Sequence, residues 1–234
     1  MRQMLDSVRS QTHADWELWA VDDRSTDNSP VILEEYATRD SRIKVLRNSV
    51  NVGPGASRNR AIEAAQGNII AFLDADDIWH PEKLTRHLAH MVEKDAAFSH
   101  TSYGYIDAEG KELKKPFRVS AHPVSYTHLL RRTEISCLTA MYNADKIGKW
   151  YMTEHRRKQD YALWLNILRS GAVSHGLDEV LAYYRQHDNA KLSSKKKHIY
   201  HHYTFLKETQ NMPSYKAAYY TLFWLVNGFV RYVL

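Results

Sequence analysis

The distribution of apolar and polar positions predicts strands and helices that alternate through the first half of the chain. Short apolar runs bounded by turn residues have the length and composition of β-strands, and they fall at 16–23, 42–48, 68–74 and 96–103. Prolines in the first helical turn open the segments between them, at Pro30, Pro54 and Pro81. This order indicates an α/β fold with a mostly parallel sheet flanked by helices.

The alternation ends near residue 104, where a second pattern begins. The segment 104–113 contains the Asp-x-x-Gly sequence of a hairpin turn. Apolar residues at helical spacing predict a helix over 159–171, and a further apolar run predicts a strand over 179–187. The residues after 190 read as two helices, so we expect a main domain at 1–190 and a helical C-terminal tail at 191–234.

The C-terminal tail contains the most apolar stretch of the sequence. Lys216, Asn227 and Arg231 interrupt it, and its uninterrupted core is shorter than the roughly 18–20 apolar residues that cross a bilayer. One interpretation is an aromatic helix lying in a membrane interface, with the lysine run 195–197 facing anionic headgroups. The alternative is a terminal helix packed on the domain.

Composition places the chain among ordinary globular proteins. Its 234 residues are 44% hydrophobic and 25% charged, which excludes disordered and collagen-like classes. The net charge is +5, but the sequence contains no known nucleic-acid-binding module, so we expect no nucleic-acid partner. Cys137 is the single cysteine, and the first residues lack the apolar core of an export signal, so we expect a cytoplasmic protein.

Two groups of aspartates follow predicted strands. Asp22 and Asp23 end the first strand, and Asp74, Asp76 and Asp77 follow the third. Ligands of such sheets bind beyond the carboxyl ends of the strands. Three neighbouring carboxylates favour a cation between them, and magnesium or manganese shared with substrate phosphates fits oxygen ligands. The alternative for the second group is an acidic turn that caps the next helix.

Several segments together resemble a known family. They are VDDRSTDNS, NVGPGASRNRAIEAAQGNIIAFLDADDIWHPEKL, RRKQDYALWLNIL and YYRQH, in this order. Over residues 1–190 the chain resembles family-2 glycosyltransferases of the GT-A fold. The resemblance implies inverting transfer of a sugar from a nucleoside-diphosphate sugar, expected to be a UDP-hexose, in bacterial surface polysaccharide synthesis such as that of O-antigen. It also implies a nucleotide-sugar half at 1–103 and an acceptor half at 104–190.

The resemblance assigns roles on the donor side. Asp23 matches the acid that contacts the nucleoside base, and Asp22 lies beside it. Asp74 and Asp76 match an Asp-x-Asp pair, in which Asp74 binds a ribose or sugar hydroxyl and Asp76 binds Mn²⁺ or Mg²⁺. Asp77 is expected to assist through the water shell of the metal or through a sugar hydroxyl.

Further roles follow from the resemblance in the acceptor half. Asp160 matches the general base, and its place at the start of a helix is expected to favour the ionised form. Arg58 and Arg185 match positions near the diphosphate, and His187 matches a metal position. The implied acceptor is a saccharide or lipid-linked saccharide, reached by peripheral contact with the inner face of the cytoplasmic membrane.

The chain departs from the family pattern at its beginning. It opens on the helix that in the family follows a first apolar strand, which predicts that residues 16–21 lack a neighbour on one side of the sheet. A truncated relative that binds nucleotide weakly without catalysis is therefore one alternative function. A metal-dependent phosphoryl-transfer enzyme is another, although it leaves Asp160 without a role.

Overall fold

The computed structural model describes residues 1–155, 158–186 and 195–233, and it confirms the α/β class. The strands are β1 (Leu18–Asp22), β2 (Ile43–Arg47), β3 (Ile69–Ala71), β4 (Ile78–Trp79), β5 (Phe98–Ile106), β6 (Glu112–Phe117), β7 (Met141–Asn143) and β8 (Ser174–Arg185). The α-helices are α1 (Arg2–Arg9), α2 (Ser29–Arg39), α3 (Pro54–Ala64), α4 (Lys83–Glu93), α5 (Tyr126–Arg131), α6 (Ala144–Ile147), α7 (Gln159–Arg169), α8 (Lys195–Gln210) and α9 (Ser214–Val233).

The strands form two sheets of mixed direction. In one, β1 and β2 pair in parallel, and the other has the order β3-β7-β5-β8-β4 with β6 added to β5. The sheet that contains β3 also has antiparallel pairs, because β7 from the second half of the chain inserts antiparallel between β3 and β5. The long β5–β8 pairing is parallel, and β5 and β6 form the predicted hairpin.

An inter-sheet cavity of about 820 Å³ lies beside β1 and β3. Leu18, Trp19 and Ile69 from these strands line it, together with Val8 of α1 and Arg58 of α3. Within the described part of the chain, β1 pairs only with β2 and β3 only with β7. The expectation that the first predicted strand lacks one neighbour is therefore confirmed for the residues that the structure describes.

Helix α7 occupies the centre of the main hydrophobic core. Trp164 is fully buried and contacts the rings of Phe72 and Phe98, each at a centroid distance of 5.3 Å. The residues of α7 from Tyr161 to Leu165 are all buried, because the sheet lies on one side of the helix and further helices lie on the others. The start of α7 is thereby held rigidly against the sheet.

The C-terminal helices pack on this core. Phe205 of α8 and Ala217 of α9 are buried in the same cluster as Trp164, and Arg169 of α7 donates to the carbonyl of Gln210 at 2.9 Å. In the described ranges, no helix combines the length and apolar character required to cross a bilayer. The alternative of a terminal helix packed on the domain is confirmed for the buried side of α9, which includes Ala217.

Candidate active site

The loop after β3 presents three aspartates in three different environments. Asp74 forms an ion pair with Arg58 of α3. Asp76 is exposed at the tip of the loop, and Asp77 is buried beneath it. The backbone N–H of Asp77 donates to the carbonyl of Asp74 at 3.1 Å, which closes the loop as a turn. The loop therefore offers one paired, one exposed and one buried carboxylate.

Asp77 is the buried member of this group, with only 1% of its surface exposed. Its carboxylate accepts the backbone N–H of Arg185 at 2.8 Å. Burial raises the pKa of Asp77 to about 7, and the charges of Asp76 and Asp74 act in the same direction. The prediction of a role at the metal's water shell or a sugar hydroxyl stays a prediction, and in this structure Asp77 fixes the end of β8 to the loop.

Arg185 connects three distant segments through its guanidinium group. Nε donates to the carbonyl of Asp76 at 2.7 Å, and Nη1 donates to the carbonyls of Asp107 and Ala108 at 2.5 and 2.7 Å. Nη2 donates to Oε1 of Gln3 at 2.6 Å. Arg185 thus supports the backbone of the acidic loop from below, and its predicted contact with a diphosphate remains untested. His187, predicted near a metal, lies outside the described residues.

The other acidic group, Asp22 and Asp23, lies at the end of β1. Both carboxylate oxygens of Asp23 are engaged, accepting from the backbone N–H groups of Val52 and Gly53 at 2.8 and 2.7 Å and from Nδ2 of Asn48 at 2.8 Å. Burial opposes the ionised form, but these hydrogen bonds hold the pKa of Asp23 below its usual value. Asp22 is buried and accepts the N–H of Ser25.

These contacts give Asp23 a structural role in addition to its predicted contact with a nucleoside base. The N–H groups of Val52 and Gly53 immediately precede α3, so the carboxylate of Asp23 holds the beginning of that helix. Arg58 extends from the same helix. Contact of Asp23 with a nucleoside base remains a prediction.

Asp160 lies in the first turn of α7, close enough to Arg58 and Asp74 for their charges to act on it. Burial raises its pKa, while the N–H of Tyr161 and the charge of Arg58 lower it, and the charge of Asp74 raises it further. The helix start therefore favours the ionised form as expected, but burial outweighs that contribution. The structure brings the predicted base together with Arg58 and Asp74.

Arg58 is the positively charged member of this group of residues. Burial disfavours its charge, but the nearby acids Asp74 and Asp160 raise the pKa of Arg58 above its ordinary value. Gln159, next to Asp160, packs on Gly55, so that a β-carbon at position 55 would lie 3.1 Å from Cγ of Gln159. The first turns of α3 and α7 are consequently in direct contact.

Residues that the sequence analysis did not select also shape the site. Asn59 of α3 exchanges two hydrogen bonds with the backbone of Met152, at 2.9 and 2.6 Å, which ties α3 to the segment before α7. The thiol of Cys137 is buried, and burial together with the charge of Asp74 raises its pKa. The sequence carries no periodic signal for either residue, because both contacts join segments far apart in the chain.

The carboxylates fit a metal that is shared with a ligand. Among the described side chains, no three from His, Cys, Asp and Glu converge so as to hold a metal ion by themselves. Asp76 is exposed at the loop tip and Asp74 lies beside it, while Asp77 is directed into the protein. Magnesium sites with one or two carboxylates and substrate phosphates have this donor set.

An acidic loop after a strand, paired with an arginine and close to a further aspartate, has the groups to bind a phosphorylated ligand and to accept a proton. Comparison with known proteins gives the class. Residues 1–152 match the family described as "Glycosyl transferase family 2". The chain belongs to this family, and its fold is the GT-A fold.

Two bacterial relatives align over most of their length. "Putative teichuronic acid biosynthesis glycosyltransferase TuaG" of Bacillus subtilis (strain 168) is 38% identical, covering 91% of this chain and 84% of the relative. "UDP-Glc:alpha-D-GlcNAc-diphosphoundecaprenol beta-1,3-glucosyltransferase WfgD" of Escherichia coli is 31% identical, covering 97% of this chain and 88% of the relative. Both are named as glycosyltransferases.

Two solved structures share the fold at lower identity. S. aureus TarS 1-349 in complex with UDP-GlcNAc has a TM-score of 0.70 at 20% identity, covering 100% of this chain and 72% of that structure. The mannosyltransferase PcManGT from Pyrobaculum calidifontis, in complex with GDP-Man and Mn²⁺, has a TM-score of 0.67 at 14% identity, covering 94% and 65%.

Proposed function

We propose that this protein is an inverting glycosyltransferase that moves a sugar, expected to be a hexose, from a UDP-sugar to a saccharide acceptor. The observation that carries the proposal is the ion pair of Arg58 with Asp74, with Asp160 close enough for both charges to act on it. Single displacement requires a base close to the groups that bind the donor. The relatives' names, which include UDP-glucose and surface-polymer synthesis, support the donor class and the bacterial polysaccharide role.

Asp160 is the proposed general base. It would take the proton of the acceptor hydroxyl while the acceptor oxygen bonds to the anomeric carbon, and the bond from that carbon to the diphosphate oxygen breaks. The diphosphate leaves with the electron pair, and the configuration inverts. Burial raises the pKa of Asp160 above its ordinary value, which makes the carboxylate a stronger base. General base catalysis of this kind contributes a factor of roughly 10² to 10⁴.

Arg58, Asp74 and Asp76 form the proposed donor side. The planar guanidinium of Arg58 can bind phosphate oxygens in bidentate fashion once its pair with Asp74 opens. Asp76, with Asp74, would hold Mn²⁺ or Mg²⁺. When bound, that cation would supply Lewis acid stabilisation of the charge on the leaving diphosphate.

The proposed acceptor is a lipid-linked saccharide at the inner face of the cytoplasmic membrane. WfgD is named for a GlcNAc-diphosphoundecaprenol acceptor. Helix α9 directs large apolar side chains outward, with Tyr215 71%, Leu222 59% and Val226 52% exposed. An interfacial helix places such residues at the level of the headgroups. A protein that stays in the soluble fraction with anionic vesicles, with or without residues 195–234, would contradict the membrane contact.

The inter-sheet cavity favours one second candidate, a relative that binds nucleotide weakly without transferring sugar. Asp22 ends β1 of the two-stranded sheet and Asp23 follows it, and β1 faces the cavity on one side. A donor site built on an incompletely paired sheet would bind UDP less tightly. This candidate predicts UDP binding without release of UDP from any UDP-sugar.

A screen of nucleotide sugars separates the two candidates. The protein would be incubated with UDP- and GDP-sugars, with and without Mn²⁺, and the released nucleoside diphosphate measured beside UDP binding by calorimetry. We expect slow release of UDP from one UDP-hexose that depends on Mn²⁺. UDP binding without release from any sugar supports the second candidate, and failure to bind UDP or GDP contradicts both.

A further inference from the structure

Lys158 adopts an unusual backbone conformation directly before α7. Its φ and ψ angles are 55° and 36°, in the left-handed region that non-glycine residues seldom occupy. Its carbonyl accepts the N–H of Ala162 at 2.9 Å, the first hydrogen bond of α7. Asp160 follows two residues later. Such strained residues persist only where surrounding contacts enforce them, and they cluster at functional sites.

The side chain of Lys158 enters an aromatic box that supplies those contacts. Nζ lies 2.7 Å from Nδ1 of His202, and the rings of Trp224, Phe205 and Tyr161 have their centroids 4.8, 5.7 and 5.9 Å from it. His202 is fully buried and stacks on Trp224 at 4.3 Å. We call these four side chains the lysine box. Cation–π attraction is strongest with tryptophan and increases when water is excluded.

Three walls of the lysine box belong to the C-terminal helices. His202 and Phe205 lie on α8, and Trp224 lies on α9. Burial lowers the pKa of His202 to about 3, and the charge of Lys158 acts in the same direction, so the imidazole is neutral and Nδ1 can accept from the ammonium. Burial lowers the pKa of Lys158 to about 8, while Asp160 opposes that change. The contact therefore pairs an ammonium donor with a neutral acceptor at neutral pH.

We propose that Lys158 is a positioning residue for Asp160, and that the C-terminal helices α8 and α9 hold the base in place through their contacts with the Lys158 side chain. The lysine box fixes the left-handed turn, and the turn sets where α7 begins and how Asp160 faces Arg58. This inference rests on the proposed function of Asp160 as the base. It makes α8 and α9 part of the catalytic unit, which the separation into domain and tail does not suggest.

An ordinary solvated lysine would not have these contacts. Lys149, for comparison, is an exposed lysine that donates to the carbonyls of Glu63 and Ala65 at 2.9 and 2.6 Å, at the C-terminal end of α3. None of the contacts described for Lys149 involves a residue of the lysine box. Lys149→Met is therefore a matched control that removes one ammonium without touching the lysine box.

The test compares Lys158→Met, Lys158→Arg, Trp224→Leu and Lys149→Met in the full chain. Transfer kinetics would give kcat and the donor KM, and hydrogen exchange would follow the amides of the first turn of α7, including that of Ala162. We expect a 10- to 100-fold loss of kcat in Lys158→Met with the donor KM unchanged. Trp224→Leu should act in the same direction, Lys158→Arg should recover part of the loss, and Lys149→Met should match the parent protein.

Hydrogen exchange at the start of α7 tests the positioning role of Lys158 independently of the proposed sugar transfer. Faster exchange there in Lys158→Met and Trp224→Leu, with the rest of α7 unchanged, supports positioning even if the parent protein transfers no sugar. Unchanged exchange, or kcat within twofold of the parent, overturns it. An equal loss of UDP affinity and kcat also overturns it, because that result indicates a general collapse of the site.

Discussion

The two sheets support the two acidic groups to very different degrees. Asp22 and Asp23 lie at the end of β1, which pairs with β2 on one side and faces a cavity of about 820 Å³ on the other. Asp74, Asp76 and Asp77 follow β3, which borders the same cavity but belongs to the six-stranded sheet, and that sheet packs against α7. The difference teaches that the proposed base and the acidic loop belong to the larger sheet and its core, while the predicted nucleoside contact belongs to the two-stranded sheet.

Truncating one tryptophan in each half should give the largest contrast. Trp164→Ala removes a fully buried ring from the main core and should lower the free energy of unfolding by about 3–5 kcal/mol. Trp19→Ala removes a half-buried ring that already borders the cavity, so it should cost no more than about half as much. Urea unfolding followed by circular dichroism measures both. Equal losses would contradict the difference in support.

The two acidic groups should also respond oppositely to pH. The folded-state pKa of Asp77 is raised to about 7 from 3.8, so its stability contribution is present at low pH and is lost as pH rises from about 4 to 7. Asp77→Asn keeps an oxygen for the N–H of Arg185 and should raise the free energy of unfolding at pH 8 by about 2–4 kcal/mol.

Asp23→Asn is the matched control, because the pKa of Asp23 is lowered. Its contribution is present above its unfolded pKa and is lost as pH falls through the folded value. The substitution should lower stability by about 1–3 kcal/mol at pH 8, since two backbone N–H groups then face an amide. Unfolding curves at several pH values test the pair. A stabilising Asp23→Asn or a destabilising Asp77→Asn would reverse the predicted signs.

Filling the inter-sheet cavity should reduce the contrast between the halves. A fused apolar segment of strand length placed before Met1 would have α1 as its connection, and Val8 of α1 already lines the cavity. We expect pairing with the open edges of β1 and β3, worth about 2 kcal/mol or a rise of roughly 4–8 °C in melting temperature. UDP should also bind more tightly. A fused segment with alternating lysines is the control, and an equal effect from it would contradict strand addition.

Sequence reasoning predicted the strands and helices of the first half because each has a clear period and clear boundaries. It did not predict the sheet order, since β7 contains only three residues and carries no periodic signal. It located the acidic loop from the carboxylates that follow a predicted strand, and Asp160 by resemblance, and the structure groups Asp160 with Arg58 and Asp74. The contacts of Arg185 and Lys158 could not be predicted, because their partners lie far away in the chain.

The pKa of Asp160 could not be predicted from the sequence for the same reason. A helix start indicates a lowered pKa, and the hydrogen bond from Tyr161 does act in that direction. Burial depends on what covers the residue, and that covering comes from segments such as α3, whose proximity no local pattern shows. The chemistry of a buried site therefore follows from tertiary packing more than from local helix position.

The central claim is that Asp160 accepts the proton of the acceptor hydroxyl while Asp74, Asp76 and Arg58 bind the donor. Sugar transfer by Asp160→Asn, measured beside UDP affinity, tests it most directly, because the amide keeps the shape of the carboxylate and removes its basicity. We predict a loss of transfer of roughly 10² to 10⁴-fold with unchanged UDP affinity. Transfer by this variant at the parent rate would contradict the claim.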